Sequence, residues 1–184
     1  AIEKGHVDAL FNLANLYVDQ GNVKEAKKYY LLAIEKGFVN ALNNLAVLLY
    51  SLHRKSELIH EINRQPQAIM DSFINENLEF AVLTFLYIGD FDTFKSLSDK
   101  LLSNKKALSS ILLEKLLIHQ QYHWVYKYFM SNEEMIEKYN PLYYATLHLL
   151  GDKDQEILKT PPEIKENVEN ILDSIKKQQE FYGM

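Results

Sequence analysis

The seventeen residues AIEKGHVDALFNLANLY at 1–17 return 32 positions later as AIEKGFVNALNNLAVLL at 33–49, with twelve positions identical. An echo at a fixed period in this range marks a repeat architecture. Each unit is one helical hairpin that cannot bury its apolar face alone, so neighbouring hairpins stack and share a continuous core. Such a stack offers a long groove and has no built-in catalytic cavity. The echo therefore constrains architecture strongly and function only in kind.

Inside the first unit, Ala9, Leu10, Leu13, Ala14, Leu16 and Tyr17 recur at three- and four-residue spacing, which predicts an amphipathic helix of about three turns. Gln20-Gly21-Asn22 breaks it, and Asn22 followed by Glu25 is a capping arrangement for the next helix. That second helix carries Ala26, Tyr29, Tyr30, Ala33 and Ile34 and is expected to stop at Gly37, where a left-handed residue costs least. The small residues Ala14, Ala26 and Ala33 let the helices approach closely, with Leu and Tyr side chains filling the gaps between them.

Leu10, Leu13, Ala14 and Tyr17, followed by Ala26, Tyr30 and Ala33, resemble the packing positions of tetratricopeptide repeats. Ala1, Gly5, Ala9, Leu13, Ala14 and Tyr17 are also similar to the Sel-one-like pattern. The resemblance covers residues 1–50. It implies an all-α fold, a right-handed superhelical solenoid of stacked antiparallel hairpins. It also implies protein–protein interaction, because the first helix of each hairpin in such repeats lines a concave surface. Ala1 matches Ala33 near the end of a second helix, so the chain is expected to begin inside a repeat, as a carboxy-terminal piece of a longer protein.

Beyond residue 50 the helical rhythm continues without the echo. Helices are expected at Ser56–Asn63, ending before Pro66, and at Gln67–Ile74. Leu78, Ala81, Val82, Phe85 and Leu86 form one stripe, and Phe91, Phe94, Leu97 and Leu101 another, so 77–103 reads as a degenerate hairpin broken at Gly89-Asp90. Residues 105–120 and 121–130 read as a further pair. Ser131 with Glu134 and Thr160 with Glu163 match capping boxes, while Asn140-Pro141 and Thr160-Pro161 place proline at helix starts. Over 163–181, Ile164, Val168, Ile171, Leu172 and Ile175 face a charged opposite side, as a terminal helix covering an open stack requires. The expected organisation is regular repeats over 1–65, divergent hairpins over 66–160 and a capping helix over 161–184, in one continuous solenoid.

Composition removes several functions. Net charge is −5, and the lysine pairs at 27–28, 105–106 and 176–177 are isolated among acids, so no basic face for nucleic acid is expected. The absence of cysteine excludes disulfides, thiol catalysis and cysteine-ligated zinc, and is compatible with a cytoplasmic, reducing setting. No apolar run reaches the roughly 18 residues of a membrane span. No phosphate-cradling glycine loop, nucleophile elbow or dinucleotide fingerprint occurs, so no enzyme activity and no cofactor are expected.

Three constellations remain. Asp8, Asn12, Asn15 and Asp19 align on a helical wheel, with Asn40, Asn44, Val47 and Ser51 as their repeat counterparts and Asn43 adjoining. In the resembling repeats, asparagines at such places hold the backbone of an extended peptide; an amide supplies both donor and acceptor for that purpose. The same residues also fit an ordinary solvated helix face, although each asparagine costs roughly half a kcal/mol against alanine there. Asp8, Asn12, Asn15, Asn43, Asn44 and Ser51 are the candidate partner-binding residues.

The run Tyr122–Phe129 places Tyr122, Tyr126 and Phe129 on one side and Trp124 with Tyr128 on another. Trp124, Tyr126 and Tyr128 are thus candidate aromatic contacts, the competing reading being that they fill the core. His119 and His123 have metal-ligand spacing but nothing completes a site, so no metal is expected. The rival functions are self-association and a regulatory arm of a larger enzyme whose catalytic domain lies upstream.

Overall fold

The computed structural model describes residues 2–104, 107–151 and 160–184, with side chains from His6 onward. The described residues form twelve helices and no strand. They pack as two compact units, 1–91 and 92–184.

The first unit contains α1 (Ile2–Asp19), α2 (Val23–Glu35), α3 (Val39–Ser51), α4 (Lys55–Asn63), α5 (Gln67–Glu76) and α6 (Leu78–Ile88). Consecutive helices pack on one another through α4, and α5 and α6 close over α3 and α4. The close approaches run along a seam of small residues. Ala14, Ala26, Ala33 and Ala41 are fully buried and Ala46 nearly so, with Leu42, Leu45, Leu49, Leu58 and Phe73 sealing the spaces between. Each fully buried leucine or phenylalanine contributes about 1.5–3 kcal/mol of transfer free energy.

The hairpin turns share one closing device. At the first, Gly21 N–H donates to Val18 O (2.9 Å) and Asn22 N–H to Tyr17 O (2.8 Å), with Gly21 at φ 70°. This is the Schellman pattern that satisfies a helix's last carbonyls. Asn22 Oδ1 then accepts from Glu25 N–H at 3.3 Å, forming the expected cap of α2. One period later the left-handed place is held by His53 (φ 55°), again with paired bonds from His53 N–H to Tyr50 O and Arg54 N–H to Leu49 O. Histidine is tolerated there at some cost that glycine escapes.

The letters IEKG take two conformations. At 34–37 they end α2, with Gly37 at φ 83°, whereas at 2–5 they lie within α1. α1 is therefore longer than the three turns its stripe predicts.

The second unit contains α7 (Phe91–Ser103, apart from its first residue), α8 (Ser110–Ile118), α9 (Tyr122–Ser131), α10 (Glu134–Lys138), α11 (Asn140–Leu150) and α12 (Pro162–Tyr182). α8, α9 and α11 pack together, and α12 lies against α8 and α11. Val168 and Ile175 of α12 are buried, while Ile164, Ile171 and Leu172 are half-buried and the charged side is exposed. Gln179 adds a polar fixture: its Nε2 donates to Ile118 O (2.9 Å), with Leu117 O and the Tyr122 hydroxyl also in reach at 3.3 and 3.1 Å. A side chain of α12 thus satisfies the Ile118 carbonyl at the end of α8.

Several expectations are corrected. Ser131 does not cap α10; it is the last residue of α9, because Asn132 ends that helix with its N–H on Phe129 O and its Nδ2 on Tyr128 O. Thr160 does not cap α12, which is entered through Pro161 in extended conformation with Pro162 first in the helix and no side-chain cap. A cap that pattern reading missed is Ser109, whose hydroxyl accepts from Leu112 N–H at 3.2 Å. Leu16 and Phe91, placed on apolar stripes, are 50% and 63% exposed. The lysines at 105–106 lie outside the described residues.

Candidate functional site

The polar stripes of α1 and α3 meet over a cleft of about 340 Å³. Asn15, Val18 and Asp19 line it from α1, Asn44, Val47, Leu48 and Ser51 from α3, and Tyr30 from α2. The helical repeat explains the convergence. Asn15 and Asp19 are four apart on one helix, Asn44, Val47, Leu48 and Ser51 follow the same rhythm on the other, and α2 holds both helices.

A hydrogen-bonded knot lies at the back of the cleft. Asn15 Oδ1 accepts from the Tyr30 hydroxyl at 2.6 Å and from Asn44 Nδ2 at 3.0 Å, tying all three helices together. Tyr30 is only 2% exposed. Burial raises its pKa first, the Asn44 hydrogen bond pulls the other way, and the Asp19 carboxylate adds to the rise. The phenol accordingly stays protonated and donating at neutral pH. Asn15 Nδ2 and Asn44 Oδ1 stand outside this knot, a donor and an acceptor beside the cleft. Val47 adds an apolar surface that is 46% exposed. The Ser51 hydroxyl donates to Leu48 O of its own helix at 2.9 Å.

Of the six sequence-selected residues, Asn15, Asn44 and Ser51 come together in this cleft. Asn12 is exposed and Asp8 half-buried on α1, outside the lining. Asn43 departs most: its Oδ1 is enclosed and without a hydrogen-bond partner. One period earlier the same place is Phe11, whose ring packs against Phe38 at 5.0 Å and Tyr30 at 6.1 Å. Asn43 thus sits where its repeat counterpart makes apolar contacts, turned away from the stripe. Asn43→Leu is expected to stabilise the first unit by about 1 kcal/mol, because an unpaired buried polar atom is removed. Urea unfolding followed by circular dichroism measures it, and a loss of stability would contradict the assignment.

The aromatic candidates divide differently from the helical-wheel expectation. The inward face of α9 is Val125, Tyr128 and Phe129, all at most 1% exposed, so Tyr128 is a core residue. Its hydroxyl accepts from Leu108 N–H at 3.1 Å, while Tyr139 OH donates to Leu108 O at 2.9 Å. Trp124 stacks on Tyr128 (6.4 Å, 2°) and is half-buried, as is Tyr126. His119 lies at the end of α8 with its ring 5.7 Å from that of Tyr182, and His123 is exposed. Among the described residues no three histidine or acidic side chains are grouped to hold a metal ion.

A charged cluster went unseen in the sequence. Glu61 on α4 is 1% exposed, and its carboxylate meets Lys27 of α2 at 2.8 Å and Arg64 at 3.2 Å; Lys27 also reaches Glu57 at 3.1 Å. The signal was faint: Glu61 replaces Tyr29 of the preceding repeat, and only packing reveals that Lys27 lies opposite.

Residues 7–36 match the family model described as Tetratricopeptide repeat. Over this span the chain is similar to a tetratricopeptide repeat. The matched span holds most of α1, all of α2 and the Asn15–Tyr30 bond, so the cleft is built on the matched hairpin and the α3 that follows it. Comparison with curated proteins and with solved structures gives no match.

Proposed function

We propose that this protein is a non-catalytic interaction module whose α1–α3 cleft holds an extended peptide segment of a protein partner. Tetratricopeptide repeats serve as protein-interaction scaffolds, and the match at residues 7–36 supports that class of role. The observation that carries the reading is the Asn15–Tyr30–Asn44 knot. It fixes two amide side chains at one cleft while leaving a donor and an acceptor for a peptide main chain. Val47 receives an apolar side chain of that peptide, and Asp19 favours a basic one. Because the knot sets these groups in place beforehand, little ordering entropy is lost on binding.

A protein partner also suits the charge distribution. The lysine pair at 27–28 is engaged with Glu57 and Glu61 on one side and Glu25 on the other, leaving no basic face there for nucleic acid. No described helix is long and apolar enough to cross a membrane. We place the module in the cytoplasm, a setting in which its cysteine-free composition is at home.

Affinity capture from the source cell tests the reading. Val47→Asp, and separately Asn44→Ala, are expected to lower capture at least about tenfold, as loss of roughly 1.4 kcal/mol of contact free energy requires. Both variants should keep the wild-type helical circular dichroism. Captured partners unchanged by either variant would remove the cleft as the binding surface.

A further inference from the structure

A second cavity lies in the first unit, between the end of α2 and the start of α5. Its volume is about 320 Å³, and it shares no lining residue with the polar cleft. Leu31 and Ile34 of α2 and Ile69 of α5 give it apolar walls, with Pro66 of the α4–α5 connection beside them. Two opposite charges line the same space, the Glu35 carboxylate and the Arg64 guanidinium. No ion pair joins them: Arg64 pairs with Glu61, and Glu35 pairs with no cation among the described residues.

Neither charge is balanced where it stands. Glu35 is the last residue of α2, whose final turn contains no basic residue. A helix ends in partial negative charge, so a carboxylate there is in the less favourable place. Around Arg64 the imbalance is opposite, because Lys27, Arg54 and Arg64 share the two carboxylates Glu57 and Glu61. Arg64 gives one N–H to Glu61 at 3.2 Å. A guanidinium has further N–H groups in a fixed fork, so donors remain for another carboxylate. The buried Glu61 also accepts from Gln65 Nε2 on its backbone oxygen at 2.8 Å, which fixes the connection that carries Arg64.

A fitting occupant brings an ammonium for Glu35, a carboxylate for Arg64 and an apolar body for the walls. A fatty acid would leave Glu35 unanswered, and an alkylamine would leave Arg64 so. An interior stretch of peptide backbone carries neither terminal charge. The volume lies at the low end of ligand pockets, which suits a small molecule of amino-acid size. We propose that this cavity binds a free α-amino acid with a large apolar side chain, of the leucine kind. Its ammonium meets Glu35, its carboxylate meets the Arg64 fork, and its side chain enters between Leu31, Ile34 and Ile69. The proposal stands without the peptide reading of the other cleft.

Titration of L-leucine into the full chain, followed by calorimetry and by backbone amide shifts, tests it. The expected result is one saturable site with a dissociation constant below about 1 mM, with shifts centred on residues 31–37 and 64–69. N-acetyl-leucine lacks the ammonium and leucinamide lacks the carboxylate, so each should bind at least about tenfold more weakly. Glu35→Gln should weaken leucine by a similar factor and leave N-acetyl-leucine unchanged. Arg64→Lys keeps a cation for Glu61 and removes the fork, so it should weaken leucine and leave leucinamide unchanged. Both variants should keep the wild-type circular dichroism. The proposal falls if leucine shows no saturable binding up to about 10 mM. It falls equally if either analogue binds as tightly as leucine, if either variant binds leucine as the wild type does, or if the shifts centre on the Asn15–Ser51 cleft.

Discussion

Lys27→Met is expected to destabilise the first unit by about 2–3 kcal/mol, because it leaves the 1%-exposed Glu61 carboxylate with Arg64 as its remaining partner. Removing one member of a buried ion pair costs more than the pair contributes, since the survivor keeps its desolvation penalty without its counter-charge. The double change Lys27→Met with Glu61→Met should therefore recover much of the loss. Urea unfolding of the four chains, followed by circular dichroism, closes the cycle. Additive losses would show that the two side chains do not interact.

The same ammonium carries a pH signature. Burial lowers the Lys27 pKa, but hydrogen bonds and attraction from Glu61 and Glu57 outweigh it and hold the value above the ordinary 10.5. A raised folded-state pKa contributes stability that is complete below the unfolded value and lost as pH rises through the folded one. Stability should thus fall above about pH 10.5, and Lys27→Met should flatten that fall. The Tyr30 phenol, also raised, acts in the same direction in a neighbouring window.

Tyr128→Ala is expected to cost the second unit about 4 kcal/mol and Tyr128→Phe about 1–2 kcal/mol. The alanine variant empties a fully enclosed ring site between Trp124 and Phe129. The phenylalanine variant keeps the ring and removes the acceptor of the buried Leu108 N–H. Denaturant unfolding is readable here through the single tryptophan, Trp124, which stacks on the substituted ring. Equal costs for the two variants would mean that the Leu108 clamp, not the ring, dominates. No cost for either would return Tyr128 to the surface.

Burial of this kind explains why the aromatic run was hard to divide by eye. A helical wheel shows which residues share a side, but with aromatic letters nearly all round, it does not show which side finds neighbours. Val125, Tyr128 and Phe129 face inward because α8 and α11 lie there. The polar stripe was easier, since alternation between apolar and amide positions marks an edge, and three of its six chosen residues line one cleft. Asn43 lies outside that lining with its Oδ1 enclosed, and its repeat counterpart Phe11 already pointed to an apolar place.

Helix positions, their turns and the repeat itself were legible in the chain alone, because each depends on neighbours within a turn or two. Three- and four-residue spacing, glycine at a left-handed turn and Asn22 before Glu25 act locally, and a written echo needs no coordinates to be seen. Whatever depends on residues distant in the chain waited for the packed helices: Lys27 opposite Glu61, two tyrosine hydroxyls around Leu108, Gln179 at the end of α8, and Leu16 bare where Leu48 is covered. The physical reason is that one amphipathic pattern buries or exposes the same leucine according to which helix lies beside it, and a repeated sequence does not repeat its surroundings.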